Sequence, residues 1–326
     1  MHTRYIARIA ILVWSTAAFG VAVTAAHAQS YPTKPINFVV PFGPGTGNDV
    51  IARIIALKVN ENWAQQMVVD NRPGASGSIA LEMTAKAPPN GYSIVIASTS
   101  QIIAQFVSKV RYDMVKDFAP VSIAGSLPYV LAVSSASPVK SVNELVALAK
   151  SRPGKMSYSG GMIGGVPHFM GVMLNASRGI DLIMVPYKST TDALVDVFSG
   201  RVEVWFTTMA SGLPQEKAGR VRILGVAGGK RVPALPDVPT MQEAGVPTLD
   251  VSVSFFILTA AATPKAAISA LNQEIVKAIN TKDVRDRLTA AGVEPMSSTP
   301  EELEELLKRE VAKWGKVIKE SGYKAE

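Results

Sequence analysis

Two glycine-rich loops carry the residues best suited to chemistry. In the first, Gly43, Gly45 and Gly47 alternate with Pro44 and Thr46, and Asn48 and Asp49 follow at once. The loop joins a short apolar run (Ile36, Phe38, Val39, Val40) to a stretch with apolar residues at Val50, Ile51, Ile54, Ile55 and Val59, the spacing of one helix face. Asn48 suits the N-cap of that helix, and Asp49 in its first turn suits the positive end of the dipole. A glycine turn feeding a helix N-terminus aims backbone N–H groups outward, a ready seat for a carboxylate or phosphate. Two readings stay open here. The glycines cradle an anion, or they only make the tight strand-to-helix turn common in α/β sheets. The plan recurs once: a strand at Lys155–Tyr158, a second glycine-rich loop from Ser159 to Pro167, and a helix beginning near His168.

The same inventory removes much catalysis. The chain has no cysteine, and two of its three histidines, His2 and His27, lie in the N-terminal leader described below. Common zinc, iron–sulfur and thiol-nucleophile sites therefore cannot be assembled. No G-x-S-x-G elbow exists, since Gly74-Ala75-Ser76-Gly77 has the wrong spacing. The first loop is neither a Walker loop nor a G-x-G-x-x-G fingerprint. A carboxylate-only site stays formally open. No catalytic residue, metal ligand or cofactor is assigned, and His168 is expected at a helix start near the cleft instead of acting as a base.

The elements that position these loops alternate, strand with helix, as in parallel α/β architecture. Strands are predicted at Met67–Asp70, Ser93–Ala97, Val121–Ala124, Tyr129–Ser134, Asp181–Pro186, Val202–Phe206, Arg222–Ala227 and Val251–Leu258. Helices are predicted around Ile79–Lys86, from Gln101, from a Ser141/Glu144 capping box to Lys150, and over Thr191–Ser199. Thr263-Pro264 and Thr299-Pro300 each pair an N-cap with a first-turn proline, and Glu302 completes a second capping box. The last helix, to about Glu320, is expected to bury one face through Leu303, Leu306, Leu307 and Trp314.

Residues 1–28 read as a secretory signal peptide: Arg4 and Arg8, an acid-free apolar run from Ile9 to Ala26, then Ala26-His27-Ala28. Cleavage is expected after Ala28, with an uncleaved anchor as the alternative. Removing Arg4 and Arg8 takes the formal charge from +7 to +5. The basic residues are scattered, which argues against nucleic acid as a partner. A soluble periplasmic product is expected.

At this point the motifs resemble a known family. Tyr31-Pro32-x-Lys34-Pro35-Ile36, then Val40-Pro41-Phe42, the glycine loop and Asn48-Asp49-Val50 look like the start of Bug-type (Bordetella uptake gene) solute receptors of tripartite tricarboxylate transporters. The match continues through Asn71-Arg72-Pro73-Gly74-Ala75, Asp117-Phe118-Ala119-Pro120-Val121, Val185-Pro186-Tyr187-Lys188 and Ala234-Leu235-Pro236-Asp237-Val238-Pro239-Thr240 to Ala312-Lys313-Trp314-Gly315-Lys316-Val317. The resemblance implies an α/β, two-lobed periplasmic binding protein of the type II, Venus-flytrap kind. It would hold a small carboxylate in its cleft and hand it to an inner-membrane permease. It also implies residues 29–128 plus 250–326 as the first lobe and 129–249 as the second, with hinges where the chain crosses.

The two glycine loops would then face each other across the cleft. The candidate ligand-binding residues are Phe42, Gly45, Thr46, Gly47, Asn48, Asp49, Ser98, Thr99 and Ser100 on one side. On the other are Met162, Gly164, Gly165, Val166, His168, Tyr187, Thr207 and Thr208, with Phe255 or its neighbour Phe256 as the expected cleft aromatic. Asp49 is expected to fix the first loop more than to touch an anion, and Thr46 to matter less. Neither loop carries Arg or Lys, so N–H groups and hydroxyls would do the binding.

Where relatives carry Ser-Gly-Asn-Gly-Thr-Ser-Ser, this chain has Gly161-Met162-Ile163-Gly164-Gly165-Val166-Pro167, and Thr207-Thr208 stands where they often have Asp-Asn. The second side is thus more apolar. An aromatic or medium-chain aliphatic carboxylate is expected over citrate, glutamate or aspartate, unless Met162 and Ile163 simply pack beneath the loop. A ligand-loaded sensor subunit, docking on a signalling protein, is the alternative function.

Overall fold

The computed structural model describes residues 31–63, 65–159, 163–187 and 190–323. The expected signal peptide and the candidate Met162 lie outside these residues. The opening unit forms as its pattern requires. Strand β1 (Ile36–Val40) buries Ile36, Phe38, Val39 and Val40, and helix α1 (Gly47–Asn60) turns Ile51, Ile55 and Val59 inward. The cap differs from expectation. Thr46, not Asn48, holds the N-cap position in extended backbone, and Asn48 Nδ2 donates to the Ile96 carbonyl at 2.9 Å, on strand β3 (Ser93–Ser98). The glycine at the first helical position lets the Phe255 ring come close, because a Cβ on Gly47 would stand 3.2 Å from that ring.

Strand β2 (Met67–Asn71) and β3 both pair with β1 in parallel, with Phe38 opposite Val69 and Ile94. Helices α2 (Ser78–Ala85) and α3 (Thr99–Val107) follow β2 and β3. Helix α3 starts two residues before the expected Gln101. The Gln101 side chain explains this: its Oε1 accepts from the Ser98 N–H at 2.8 Å and so caps a helix that already contains it.

Strand β4 (Phe118–Ser134) is one strand of 17 residues where the sequence predicts two. Gly125 and Pro128 read as a break. Register shifts beside Pro120 and Gly125 absorb the irregularity as bulges, while pairing with strand β9 (Ser252–Ala260) runs from Phe118 to Pro128. From Tyr129 onward the same strand pairs instead with β7 (Val204–Thr208) and β8 (Val221–Ala227). Strand β5 (Met156–Ser159) lies parallel to β7 and to β6 (Leu182–Met184). The order is β2-β1-β3-β9-β4-β7-β5-β6, with β8 on β4. Two sheets thus share one long strand and curl apart along it.

Helices α4 (Val142–Ser151), α5 (Val166–Arg178), α6 (Thr190–Phe198) and α7 (Met209–Lys217) cover the second sheet. The C-terminal part supplies α8 (Lys265–Ile279), α9 (Lys282–Ala290) and α10 (Pro300–Glu320). The capping box of α10 is reciprocal: Thr299 Oγ1 accepts from the Glu302 N–H at 3.2 Å, and Glu302 Oε2 from the Thr299 N–H at 2.9 Å. At α8 Pro264 itself occupies the N-cap, because the Thr263 hydroxyl is engaged with Thr259 on β9 at 3.2 Å. Helix α10 buries Leu303, Leu307, Trp314 and Ile318 and leaves Leu306 half-buried. The Trp314 ring meets Phe169 of α5 edge-on at 6.3 Å, which links the chain terminus to the second glycine loop.

Candidate functional site

One cavity of about 360 Å³ lies between the second glycine loop and a wall built from α3, Ser76 and Phe42; no residue of Gly43–Gly47 lines it. Its volume is within the range of roughly 300–1,000 Å³ usual for small-molecule sites. Phe42 just before the first loop, Ser76 from the turn after β2, and Ser100, Ile103, Ala104, Val107 and Ser108 from α3 and its end form one wall. Ile163, Gly164, Gly165, Val166 and Pro167 form the opposite wall, with Tyr129 of β4 and Tyr323 beyond α10 completing it. None of these residues is charged. The cavity therefore offers hydroxyls, phenols and peptide groups set in apolar surface.

Of the candidates read from sequence, the structure brings Phe42, Ser100, Gly164, Gly165 and Val166 together in this cavity. The other described candidates do not line it and make contacts within the fold instead. The Thr46 hydroxyl donates to the Gly43 carbonyl at 2.9 Å. Ser98 sits buried in the cap of α3, and Thr99 Oγ1 ties α3 to β9 by accepting from the Ser254 N–H at 3.1 Å. Phe255 packs against Gly47. The Tyr187 hydroxyl donates to the Asp196 carboxylate. Thr207 is buried with its methyl toward Gly212, and the Thr208 hydroxyl meets Ser211 at 3.3 Å.

Asp49 is buried, at 2 % exposure, and its carboxylate is fully engaged. It accepts from the Gly45 N–H at 2.9 Å, the Asn71 amide at 2.8 Å and Arg53 Nε at 3.0 Å. Burial alone would raise its pKa, but Arg53, Gly45 and Asn71 outweigh that and hold it below the usual carboxylate range. Asp49 thereby shapes Gly45, which takes a left-handed φ of 82°. The N–H groups of Gly47 and Asn48 at the head of α1 have no acceptor among the described residues.

The turn that presents Ser76 is strained. Ala75 and Ser76 hold φ of 46° and 54°, a left-handed region that non-glycine residues enter rarely and at a cost. Gln101 Nε2 holds the turn by donating to the Ser76 carbonyl at 3.0 Å. Ser76, the inner face of α3, Tyr129 and Tyr323 were not legible as site residues. Ser76 stood out only within Gly74-Ala75-Ser76-Gly77, whose spacing does not make a nucleophile elbow.

In the second loop, His168 sits in the first turn of α5, as expected, and holds the loop closed. Its Nδ1 accepts from the Gly164 N–H at 3.1 Å, and its ring lies near Phe169 and Tyr323. Burial lowers its pKa from the ordinary 6.5. Because the folded value lies below the unfolded one, the stabilisation from neutral His168 is complete above about pH 6.5 and is lost as pH falls through the folded value. Protonation of Nδ1 also removes the acceptor for Gly164. The expected result is a fall in Tm between about pH 7 and pH 5 that His168→Asn lessens. His168 is the only histidine among the described residues, so the difference between the two proteins reads this group alone.

Comparison with known proteins places this architecture. Residues 51–323 match the model of the tripartite tricarboxylate transporter family receptor. A UPF0065 protein in the tcbD-tcbE intergenic region of Pseudomonas sp. strain P51 is 38% identical over 91% of this chain and 89% of its own length. Protein BugT of Bordetella pertussis is 32% identical over 99% of this chain and 98% of its own. Among solved structures, Rpa4515 of R. palustris with adipate superposes with a TM-score of 0.75 at 32% identity, covering 90% of this chain and 98% of that one. The Bug-type resemblance and the two-lobed α/β binding-protein fold are borne out. The chain belongs to the tripartite tricarboxylate transporter receptor family.

Proposed function

We propose that this protein is a periplasmic receptor that captures a small carboxylate between its lobes, does no chemistry on it, and delivers it to the permease of a tripartite transporter. The uncharged cavity between α3 and the second glycine loop is the observation that carries this reading. Hydroxyls and helix-head N–H groups can hold one carboxylate, and the apolar wall of Ile163, Val166 and Pro167 suits a hydrocarbon body. The lobes are residues 29–128 with 250–326, and 129–249. The change of partner strand along β4, from β9 to β7 and β8 at Tyr129, supports that division. Export follows from the leader at residues 1–28, with the cut after Ala28.

The ligand is an aromatic or medium-chain aliphatic acid in preference to citrate, glutamate or aspartate. Adipate, carried by the R. palustris relative, is such an acid with a second carboxylate at its far end. Pressing extra charge against unpaired apolar wall costs several kcal/mol, which falls most heavily on compact polyanions. A thermal-shift panel of adipate, hexanoate, benzoate, citrate, glutamate and aspartate tests both levels. A ligand at about 100 times its Kd stabilises by roughly 2.7 kcal/mol. Adipate, hexanoate or benzoate should give the largest shift. If citrate or an acidic amino acid leads and these three do nothing, the apolar wall has been misassigned. If no carboxylate shifts the transition, the carboxylate receptor itself is the wrong reading.

A further inference from the structure

Seven tyrosines fall among the described residues, and five of them use their hydroxyls within the fold. Tyr31 donates to the Gly91 carbonyl at 2.6 Å, Tyr112 to Gln101 at 3.0 Å, Tyr158 to His168 at 2.9 Å and Tyr187 to Asp196, while Tyr92 accepts from the Thr33 N–H at 2.8 Å. The two left over are Tyr129 and Tyr323. They are also the two that line the cavity. Tyr129 is the more telling, because its side chain is only 7% exposed. Its hydroxyl has no hydrogen-bond partner among the described residues and is not one of the sealed unpartnered atoms there (Ser78 Oγ, Ser159 Oγ, Gln215 Oε1 and Glu274 Oε2), so it opens on the cavity, where a ligand can meet it. Burial also raises its pKa, with no neighbouring charge acting on it, so it stays a neutral donor at physiological pH.

Its backbone position is unusual too. The Tyr129 N–H points to the Val251 carbonyl at 3.5 Å, and the residue is the first on β4 to pair with Thr208 of β7 and Ala227 of β8. The phenol is therefore mounted on the strand that both sheets share, where neither loop can carry it away. Resting on the carboxylate reading above, we propose that Tyr129 is a specificity-determining residue whose hydroxyl donates a hydrogen bond to the carboxylate of the bound ligand. It replaces, from the hinge strand, part of the donor set that the apolar second loop lacks.

The test is Tyr129→Phe, which keeps the ring and removes only the O–H. Isothermal titration of adipate, hexanoate and benzoate into both proteins should show binding of at least one acid weakened roughly 10- to 100-fold, the range for a hydrogen bond to a charged group. The Tm of the ligand-free variant should equal or exceed that of the parent, since no bond within the fold is lost. A lower Tm would show that the hydroxyl serves the fold and overturn the proposal. Equal affinity in the two proteins would remove Tyr129 from the contact set and leave the receptor reading standing. Failure of the parent to bind any of the three acids would overturn both.

Discussion

Gly171→Ala should be the most damaging single-methyl change in the second half of the chain. Gly171 lies inside α5, and an ideal Cβ there would stand 2.1 Å from Tyr158 Cζ and 2.6 Å from its hydroxyl. The ring cannot yield easily: Tyr158 is 2% exposed and its edge packs on the buried Phe206, centroids 5.8 Å apart. Either the ring is expelled or α5 shifts away from β5. Both outcomes break the 2.9 Å hydrogen bond from the Tyr158 hydroxyl to the His168 carbonyl, which anchors the first turn of α5. Overpacking a core costs about 1–3 kcal/mol, and a buried hydrogen bond adds about 1. We expect a loss of roughly 3–4 kcal/mol, read as a fall in Tm of about 6–12 °C. Adding Tyr158→Leu should recover part of it, because the two sites are in contact and couple. A single variant within about 2 °C of the parent would mean that α5 does not approach β5 this closely.

That glycine also shows where sequence reading stops. Gly45 was legible because a glycine-rich turn between an apolar run and an amphipathic helix has a local reason to exist. Gly171 has none, since its reason is the ring of Tyr158, thirteen places away in the chain and on another element. The same holds for the site. Asp49 and His168 were found because each sits beside a glycine loop and acts within four residues of itself, on Gly45 and Gly164. Tyr129 and Tyr323 reach the cavity through strand pairing and helix docking, which no spacing records. Asn48 was misread as a cap because capping is a local preference, while its bond to Ile96 is made across the sheet. The merged strand β4 is a related error. Glycine and proline signal a break locally, and pairing with β9 overrode it.

Asp49→Ala should be among the most damaging polar changes in the first half, and it should act on the loop before it acts on any ligand. The carboxylate is the hub of a closed set of bonds. It accepts from Gly45, Asn71 and Arg53; Asn71 Nδ2 also donates to the Phe42 carbonyl at 3.0 Å, and Arg53 Nη2 to Asn71 Oδ1 at 2.9 Å. The set fixes β2, the head of α1 and the cavity-lining Phe42 to one another. Truncation strands the Gly45 N–H and the Asn71 amide, while Arg53, 52% exposed on its side chain, can turn to solvent and contributes little. We therefore expect a loss of about 2–3 kcal/mol near pH 7, together with weaker binding of adipate, and about 1 kcal/mol or less for Thr46→Ala, which gives up one bond to Gly43. The sign with pH follows from the lowered pKa. The advantage of the parent over Asp49→Ala should be complete above the unfolded value near 3.9 and should vanish as pH falls through the lower folded value. Urea unfolding of both proteins near pH 7 and at more acid pH measures it. Equal stability near pH 7 would show that the bonds around Asp49 carry no net weight. Equal stability with binding abolished would instead make Asp49 a direct contact of the ligand.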